Sequence, residues 1–459
     1  MNRLTALLSR HSRLFKMTVE ANVPEKVGEK MSQAAIPKPK LQGRDLYEAM
    51  GRPKTIVAPM VDQSELAWRI LSRRHGADLC YTPMLHARLF GESAQYRRDN
   101  FGDDDGDPKF DRPLVVQFCA NDPDELLRAA KHVVGRCDAV DLNLGCPQGI
   151  ARKGHYGAFL MEDWDLIYRL INKLHTELEI PVTAKIRIFD DREKSLAYAK
   201  HVLSAGAQFL TVHGRTREMK GQKTGLADWS VIKYIRDNIP PETVMFANGN
   251  ILYQEDINRC LEATGTDAIM SAEGNLYNPA VFNINKTHID DRFPRVDVML
   301  REYFEIAKSM PCNANLSAMK THFFKILRPF LAVHTDIRNQ IGPIRKGNLE
   351  EFEKIVEQVE QRVKEVLVTE QDIIVEGNGE YYKEIPHWRC QPYFRVVNGV
   401  ASNGKKRKSE DEVDESSKRV NASGDITDSP TVEASTQGVS TNGVTTAVAV
   451  DPVQASPSS

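Results

Sequence analysis

Ala139-Val140-Asp141-Leu142-Asn143-Leu144, followed at once by Gly145-Cys146-Pro147, is the stretch from which the rest of the chain can be read. The apolar run predicts a buried strand. Glycine allows a sharp exit and proline cannot donate to a ladder, so the strand stops there and Cys146 sits just beyond its end, on a loop. Three further glycines, Gly149, Gly154 and Gly157, alternate with Arg152, Lys153, His155 and Tyr156. Such a loop can wrap closely around a ligand while presenting positive charge and an aromatic face. By itself the cysteine also reads as a buried structural thiol, because free cysteine is among the most buried residue types.

The same kind of short apolar run recurs on both sides. Runs at Thr55–Ala58, Leu79–Tyr81, Leu114–Phe118, Ala139–Leu144, Val182–Ile186, Phe209–Val212, Val244–Ala247 and Ala268–Met270 are separated mostly by helix-like segments. Those segments are Glu65–His75, Asp122–Val134, Asp163–Leu178, Lys194–Ala205, Trp229–Asp237 and Gln254–Glu262. Between Ala87 and Asp111 a regular helix is least evident. Eight alternations predict an α/β fold, a (β/α)8 TIM barrel, with a doubly wound open sheet as the other arrangement they permit.

In a barrel the strand ends converge on one rim, where the connecting loops carry the chemistry. Here those ends are polar. They supply Pro59, Met60 and Val61, then Gln117, Asn143 and Cys146, then Lys185 and Arg187, then His213 and Arg215. Asn248-Gly249-Asn250 and Ala272-Glu273 complete the ring. Each buried polar group requires a partner, so their convergence is economically explained by one site. Lys185 is open to two readings, a contact with an anionic ligand or an ion pair with Asp141.

A chain of 459 residues has room for two or three domains, and its formal net charge of −2 confines any nucleic-acid surface to a local patch. Seven scattered cysteines without a C-x-x-C pair argue against zinc and against a secreted disulfide framework. No apolar stretch approaches a membrane span. Residues 1–42 read as an extension. It holds Arg3, Arg10, Arg13 and Lys16 before its first acid, Glu20, which leaves a mitochondrial address open beside cytoplasm or nucleus. It reads equally as a disordered lead-in to a start at Met17. Residues 43–294 would form the barrel, and 295–398 a chiefly helical domain ending in an aromatic, basic strip at 381–395. That strip reads either as a packed strand pair or as an RNA contact. From 399 to 459 the composition predicts disorder, with Lys405–Lys408 a solvated charge run or an import signal.

Asn143-Leu-Gly-Cys-Pro147 and the Gly-His-Tyr-Gly-Ala segment after it resemble the tRNA-dihydrouridine synthases, nearest the eukaryotic type acting on D-loop positions 16 and 17. The resemblance runs from about Thr55 to about Arg338. It implies an FMN-dependent reduction of uridine in tRNA, driven by NADPH. Hydride would pass from flavin N5 to uracil C6 and a proton from Cys146 to C5. It further implies that Pro59, Met60 and Val61 lie against the flavin, with Gln117, Asn143, Lys185 and His213 as ring contacts. Asn248, Gly249, Asn250, Ala272 and Glu273 match the phosphate segments, although the bacterial pattern has Gly-Arg where this chain has Ala272-Glu273. A glutamate side chain cannot neutralise phosphate, so backbone amides would have to serve.

The helical domain of such synthases binds tRNA. Arg152, Lys153, Tyr156, Arg187, Arg215, Lys325 and Arg328 are the expected RNA contacts, the last two on one side of one helix. The expected partner is tRNA, with no membrane, no metal and a monomeric state. Two other classes fit the rim as well, an FMN barrel reducing a free dihydroorotate-like or enoate molecule, and an RNA-binding scaffold without turnover.

Overall fold

The computed structural model describes residues 40–376 and 382–394. The N-terminal targeting reading, the basic run at Lys405–Lys408 and the C-terminal tail lie outside them. Nine parallel strands follow in chain order: β1 Thr55–Val57, β2 Leu79–Tyr81, β3 Leu85–His86, β4 Leu114–Cys119, β5 Ala139–Leu144, β6 Val182–Arg187, β7 Phe209–His213, β8 Val244–Asn248 and β9 Ala268–Ser271. The sheet closes because β1 pairs with both β2 and β9 while β2 also pairs with β4, leaving β3 as a short annex to β4. The open doubly wound alternative is thereby excluded. Nearly all strand residues are buried, as expected of parallel strands covered by helices.

Register decides which side chains meet. Gln117 pairs with Asp141 and Asn143 with Lys185. Arg187 pairs with His213, and His213 in turn with Asn248. Because side chains alternate with a period of two, Asp141 and Asn143 share one face of their strand, as do Lys185 and Arg187. The expected site residues therefore stand shoulder to shoulder on five adjacent strands.

Between β3 and β4 the chain forms two short helices, Ala87–Glu92 and Ala94–Asn100, where periodicity had suggested little. The local signal is weak because the anchor is distant. Arg69, on helix Leu66–Arg74, is fully buried and donates to both oxygens of Asp111, to Asp105 and to the Ser64 carbonyl. The Asp103-Asp104-Asp105 turn thus closes onto a cation 36 residues earlier.

After Pro294 come helices Val296–Ser309, Asn313–Ile326, Arg328–Val333, Thr335–Ile341 and Leu349–Thr369. They share a core with the barrel. At the seam the buried Glu65 carboxylate is bound by the Tyr303 hydroxyl at 3.0 Å and His322 Nε2 at 2.9 Å. His322 stacks on Trp68 with ring centroids 4.0 Å apart, and Trp68 Nε1 donates to Asn275. The strip near the C-terminal end packs here too. Strands Val375–Glu376 and Lys383–Glu384 pair antiparallel. Arg389 is buried on Asp372, Asp290 and the Phe293 carbonyl. The described part of the strip is packed, with Phe394 against Tyr253 and Tyr393 against Tyr277 on the barrel side and His387 against Phe330 of the helices.

One expectation is corrected. Lys325 and Arg328 do not lie in one helix, because Pro329 lacks an N–H and opens a new helix at Arg328. Both side chains nevertheless converge on Tyr277. The Lys325 ammonium donates to its hydroxyl at 3.0 Å, and the Arg328 guanidinium lies 3.6 Å from the Tyr393 ring and 5.9 Å from that of Tyr277. Among the described residues no helix is long and apolar enough to cross a membrane, and no group of potential metal ligands is found.

Replacing Arg69 by Met should leave two buried carboxylates without their cation and lower unfolding stability by about 3–5 kcal/mol, read from urea denaturation. An unchanged midpoint would show that the triad is not what holds this loop.

Candidate active site

At the mouth of the barrel one hydrogen-bond chain runs from the interior to the cysteine loop. Asp141, fully buried on β5, accepts from Thr183 Oγ1 at 2.7 Å and from Gln117 Nε2 at 2.8 Å. Gln117 Oε1 accepts from Asn143 Nδ2 at 2.7 Å. Asn143 Oδ1 then accepts the amides of Cys146 at 2.9 Å and Gly145 at 3.2 Å. A carboxylate only accepts, so Gln117 must turn its amide nitrogen toward Asp141. Its oxygen is left for Asn143, whose own oxygen is left for the loop. Burial pushes the Asp141 carboxyl up to about 6, while the bonds from Gln117 and Thr183 hold it down.

The cysteine loop is packed from below by Gly157, whose φ of +64° already disfavours other residues. A Cβ there would lie 2.8 Å from the Cys146 carbonyl and 3.1 Å from Cys146 Cβ. Ala158 N–H donates to that same carbonyl at 3.0 Å. Arg187 holds the loop from the other side, with Nε on the Gly145 carbonyl at 2.7 Å and a second nitrogen on the Thr216 carbonyl at 2.8 Å. Burial raises the Cys146 thiol above its ordinary range, while the Gln148 amide and the cations Arg187, Lys185 and Lys220 oppose that shift. The group is a protonated thiol at neutral pH, with cations ready to stabilise it should it lose the proton.

Among the described residues Lys185 makes no side-chain hydrogen bond or salt bridge, although the Asp141 charge on the neighbouring strand acts to keep it protonated. Burial, then the nearby Arg187, bring its ammonium down to about 7. His213 is held well below its usual value by burial and by Lys185, Arg187 and Arg215, so its ring is neutral, and Nε2 accepts from Arg215 at 2.9 Å. Burial and Arg215 likewise lower Arg187 to about 10. Lys185 and Arg187, both lowered by burial and by neighbouring positive charge, give the mouth the character of an anion site.

The opposite rim is built for close backbone approach. Gly249, at φ +117°, leaves no room for a Cβ, which would sit 2.6 Å from Ala227 Cβ and 3.2 Å from the His213 ring. Asn250 is left-handed at φ +61° and accepts from Arg215 at 2.6 Å. Asn248 donates to the Met270 carbonyl. At Gly274 a Cβ would meet the Ile251 carbonyl at 2.1 Å, so the loops after β8 and β9 touch through backbone. Ala272 and Glu273, half-buried, open the short helix Glu273–Tyr277. Met60 is buried beside the half-exposed Pro59, and Val61 is exposed.

The mouth therefore gathers Gln117, Asn143, Cys146, Lys185, Arg187, His213 and Arg215. Arg152 and Lys153 are exposed on helix Gly149–Lys153. Tyr156, expected at an RNA surface, is instead buried edge-on to His86, because Gly157 turns the chain inward directly after it. Arg187 and Arg215, expected there too, spend their guanidinium groups on loop carbonyls and on their neighbours in the rim. Asp141 and Thr183 were missed as parts of the site. The available signal was an acid in the middle of an otherwise apolar strand.

Comparison with known proteins agrees with this geometry. Residues 56–376 match the family described as dihydrouridine synthase (Dus). The chain is 63% identical over 389 residues to the tRNA-dihydrouridine(16/17) synthase [NAD(P)(+)] of Saccharomyces cerevisiae, covering 82% of this chain and 91% of the yeast protein. It is 51% identical over 396 residues to the protein of that name in Schizosaccharomyces pombe, covering 84% and 98%. To the tRNA-dihydrouridine(20a/20b) synthase [NAD(P)+]-like protein of Homo sapiens it is 37% identical over 235 residues, covering 50% and 71%. With a closed parallel barrel, a cysteine loop at its mouth and these matches along most of its length, the chain belongs to the dihydrouridine synthase family.

Proposed function

We propose that this protein reduces uridine to 5,6-dihydrouridine in the D-loop of tRNA, at positions 16 and 17, with FMN held in the barrel mouth and NADPH as the source of electrons. The observation that carries the reading is the placement of a half-buried thiol, kept protonated, beside the buried amine of Lys185, which makes no salt bridge, on the next strand. The residues fit a flavin. Lys185 makes no salt bridge of its own, the Asn248–Asn250 and Ala272–Glu273 segments would meet a phosphate through backbone amides, and Asn143 and neutral His213 stand at the mouth where a planar ring would lie. Bound there, FMN supplies the hydride taken up at uracil C6.

Everything else falls to the chain itself. Cys146 gives its thiol proton to C5, and general-acid help of this kind is worth about 10²–10⁴-fold. The thiolate left behind is stabilised by Arg187, Lys185 and Lys220, the same cations that oppose the burial of the thiol, until solvent returns the proton. Asn143 and Arg187 fix the loop so that the sulfur does not wander. Arg152 and Lys153, exposed on the rim, would take tRNA phosphates. Lys325 and Arg328 would do so beside Tyr277, while Arg187 and Arg215 act on whatever enters the mouth and Tyr156 supports the loop from within. A uracil must leave its stack to reach such a depth, which is why grip on the surrounding RNA is needed.

Cys146→Ala should retain flavin and its bleaching by NADPH while dihydrouridine formation falls by about 10²–10⁴-fold. Full activity would remove the proton-donor role. The rate of uridine reduction by wild-type protein should hold through neutral pH and decline only above the ordinary thiol range, since burial raises the group that must stay protonated. A decline already beginning at acidic-to-neutral pH would contradict this. Affinity for tRNA should fall steeply with added salt, and a flat dependence would speak against phosphate contacts at Arg152 and Lys153.

A further inference from the structure

Beside the mouth opens a cavity of about 600 Å³, lined by Arg152, Phe159, Arg217, Glu218, Lys220 and Lys223. Its walls are the helix Gly149–Lys153, the turn Gly157–Leu160 and the loop after β7 that contains the turn Gly221–Lys223. Four cations face one carboxylate, and that carboxylate is already bound by Arg217 at 3.0 Å. The Arg217 guanidinium lies over the Phe159 ring, 5.6 Å from its centroid. Lys220 donates to the carbonyl of Pro147, next to Cys146, at 2.8 Å. Arg152 and Lys223 have no ion pair among the described residues.

The charge is more concentrated than an RNA strand requires. A phosphodiester backbone carries one charge per nucleotide and tracks along open grooves, whereas a concave site of this volume is the ordinary size for a small ligand. Clustered phosphates on a single molecule would draw on several cations at once. A purine could lie in the layer formed by Phe159 and Arg217.

We propose that this cavity receives the adenosine end of the reductant, with the 2′-phosphate of a phosphorylated nicotinamide dinucleotide on Lys223 and its diphosphate on Lys220, Arg217 and Arg152. Lys220 ties the cavity to the cysteine loop, so a dinucleotide held there has its far end directed to the barrel mouth. The proposal rests on the redox reading above. The reductant leaves before tRNA arrives, so Arg152 can serve each in turn.

The test titrates the full-length protein calorimetrically with adenosine 2′,5′-bisphosphate and with 5′-AMP, in wild type, Lys223→Glu and Lys223→Ala. The bisphosphate should bind wild type at least about tenfold more tightly than AMP, and each variant should lose about tenfold or more for the bisphosphate alone, as expected for one lost charge-assisted contact. In parallel, the concentration of NADPH that half-saturates flavin bleaching should rise in the variants while that of NADH does not. Equal binding of the two nucleotides, or variants that bind the bisphosphate as wild type does, would overturn the proposal. So would variants that lose only tRNA affinity, which would give the cavity to RNA. If neither dinucleotide bleaches wild-type flavin, the redox reading fails, and the bisphosphate titration still decides the cavity.

Discussion

A single buried carboxylate orders the site. Asp141 can only accept, and that one fact passes through Gln117 and Asn143 to fix which way each amide faces and hence which amides the cysteine loop must present. The links from Thr183 through Asp141 and Gln117 to Asn143 are buried, where an unmet polar group costs about 1–3 kcal/mol, so the chain has little freedom to break and reform. The cysteine loop is therefore held by the barrel interior and not by the surface. Gly157 and Arg187 then close on it from two further directions.

The electrostatics follow from this scaffold. Lys185 feels the Asp141 charge from the neighbouring strand but makes no salt bridge with it, and burial together with Arg187 brings its ammonium down to about 7, which leaves the mouth receptive to an anion. Such an arrangement persists in an evolved protein when a ligand supplies that anion. The same cations act on the thiol in the opposite sense to burial, so a thiolate at Cys146 would not be left as a naked anion. Arg215 links the loops after β7 and β8 through Gly225 and Asn250, so the cationic side of the mouth and the backbone cradle are braced together.

Much of this could be read from the chain alone, and for definable reasons. The eight barrel runs were legible because each is a short, fully buried, β-rich segment bounded by turn residues. Their ends differed by only a residue or so, as at Phe209–His213, where the polar terminal residue also belongs to the strand. Polar residues at those ends marked the rim because packing offers no other use for so many. What escaped was long-range. The turn through Asp105 and Asp111, after the helices Ala87–Glu92 and Ala94–Asn100, is held by a buried arginine far away in sequence. The inward turn that buries Tyr156 and the commitment of Arg187 to carbonyls depend on register and on Gly157, which no periodicity reports. The break before Arg328 was visible in Pro329 and was passed over.

The account stands on one site in which Cys146 and a flavin act together on a uracil within tRNA. The most direct measurement is a nucleotide-resolution map of dihydrouridine in total tRNA from cells with and without this protein. The account predicts that dihydrouridine at D-loop positions 16 and 17 disappears with the protein while other positions keep theirs. Unaltered modification at 16 and 17 in its absence would contradict it.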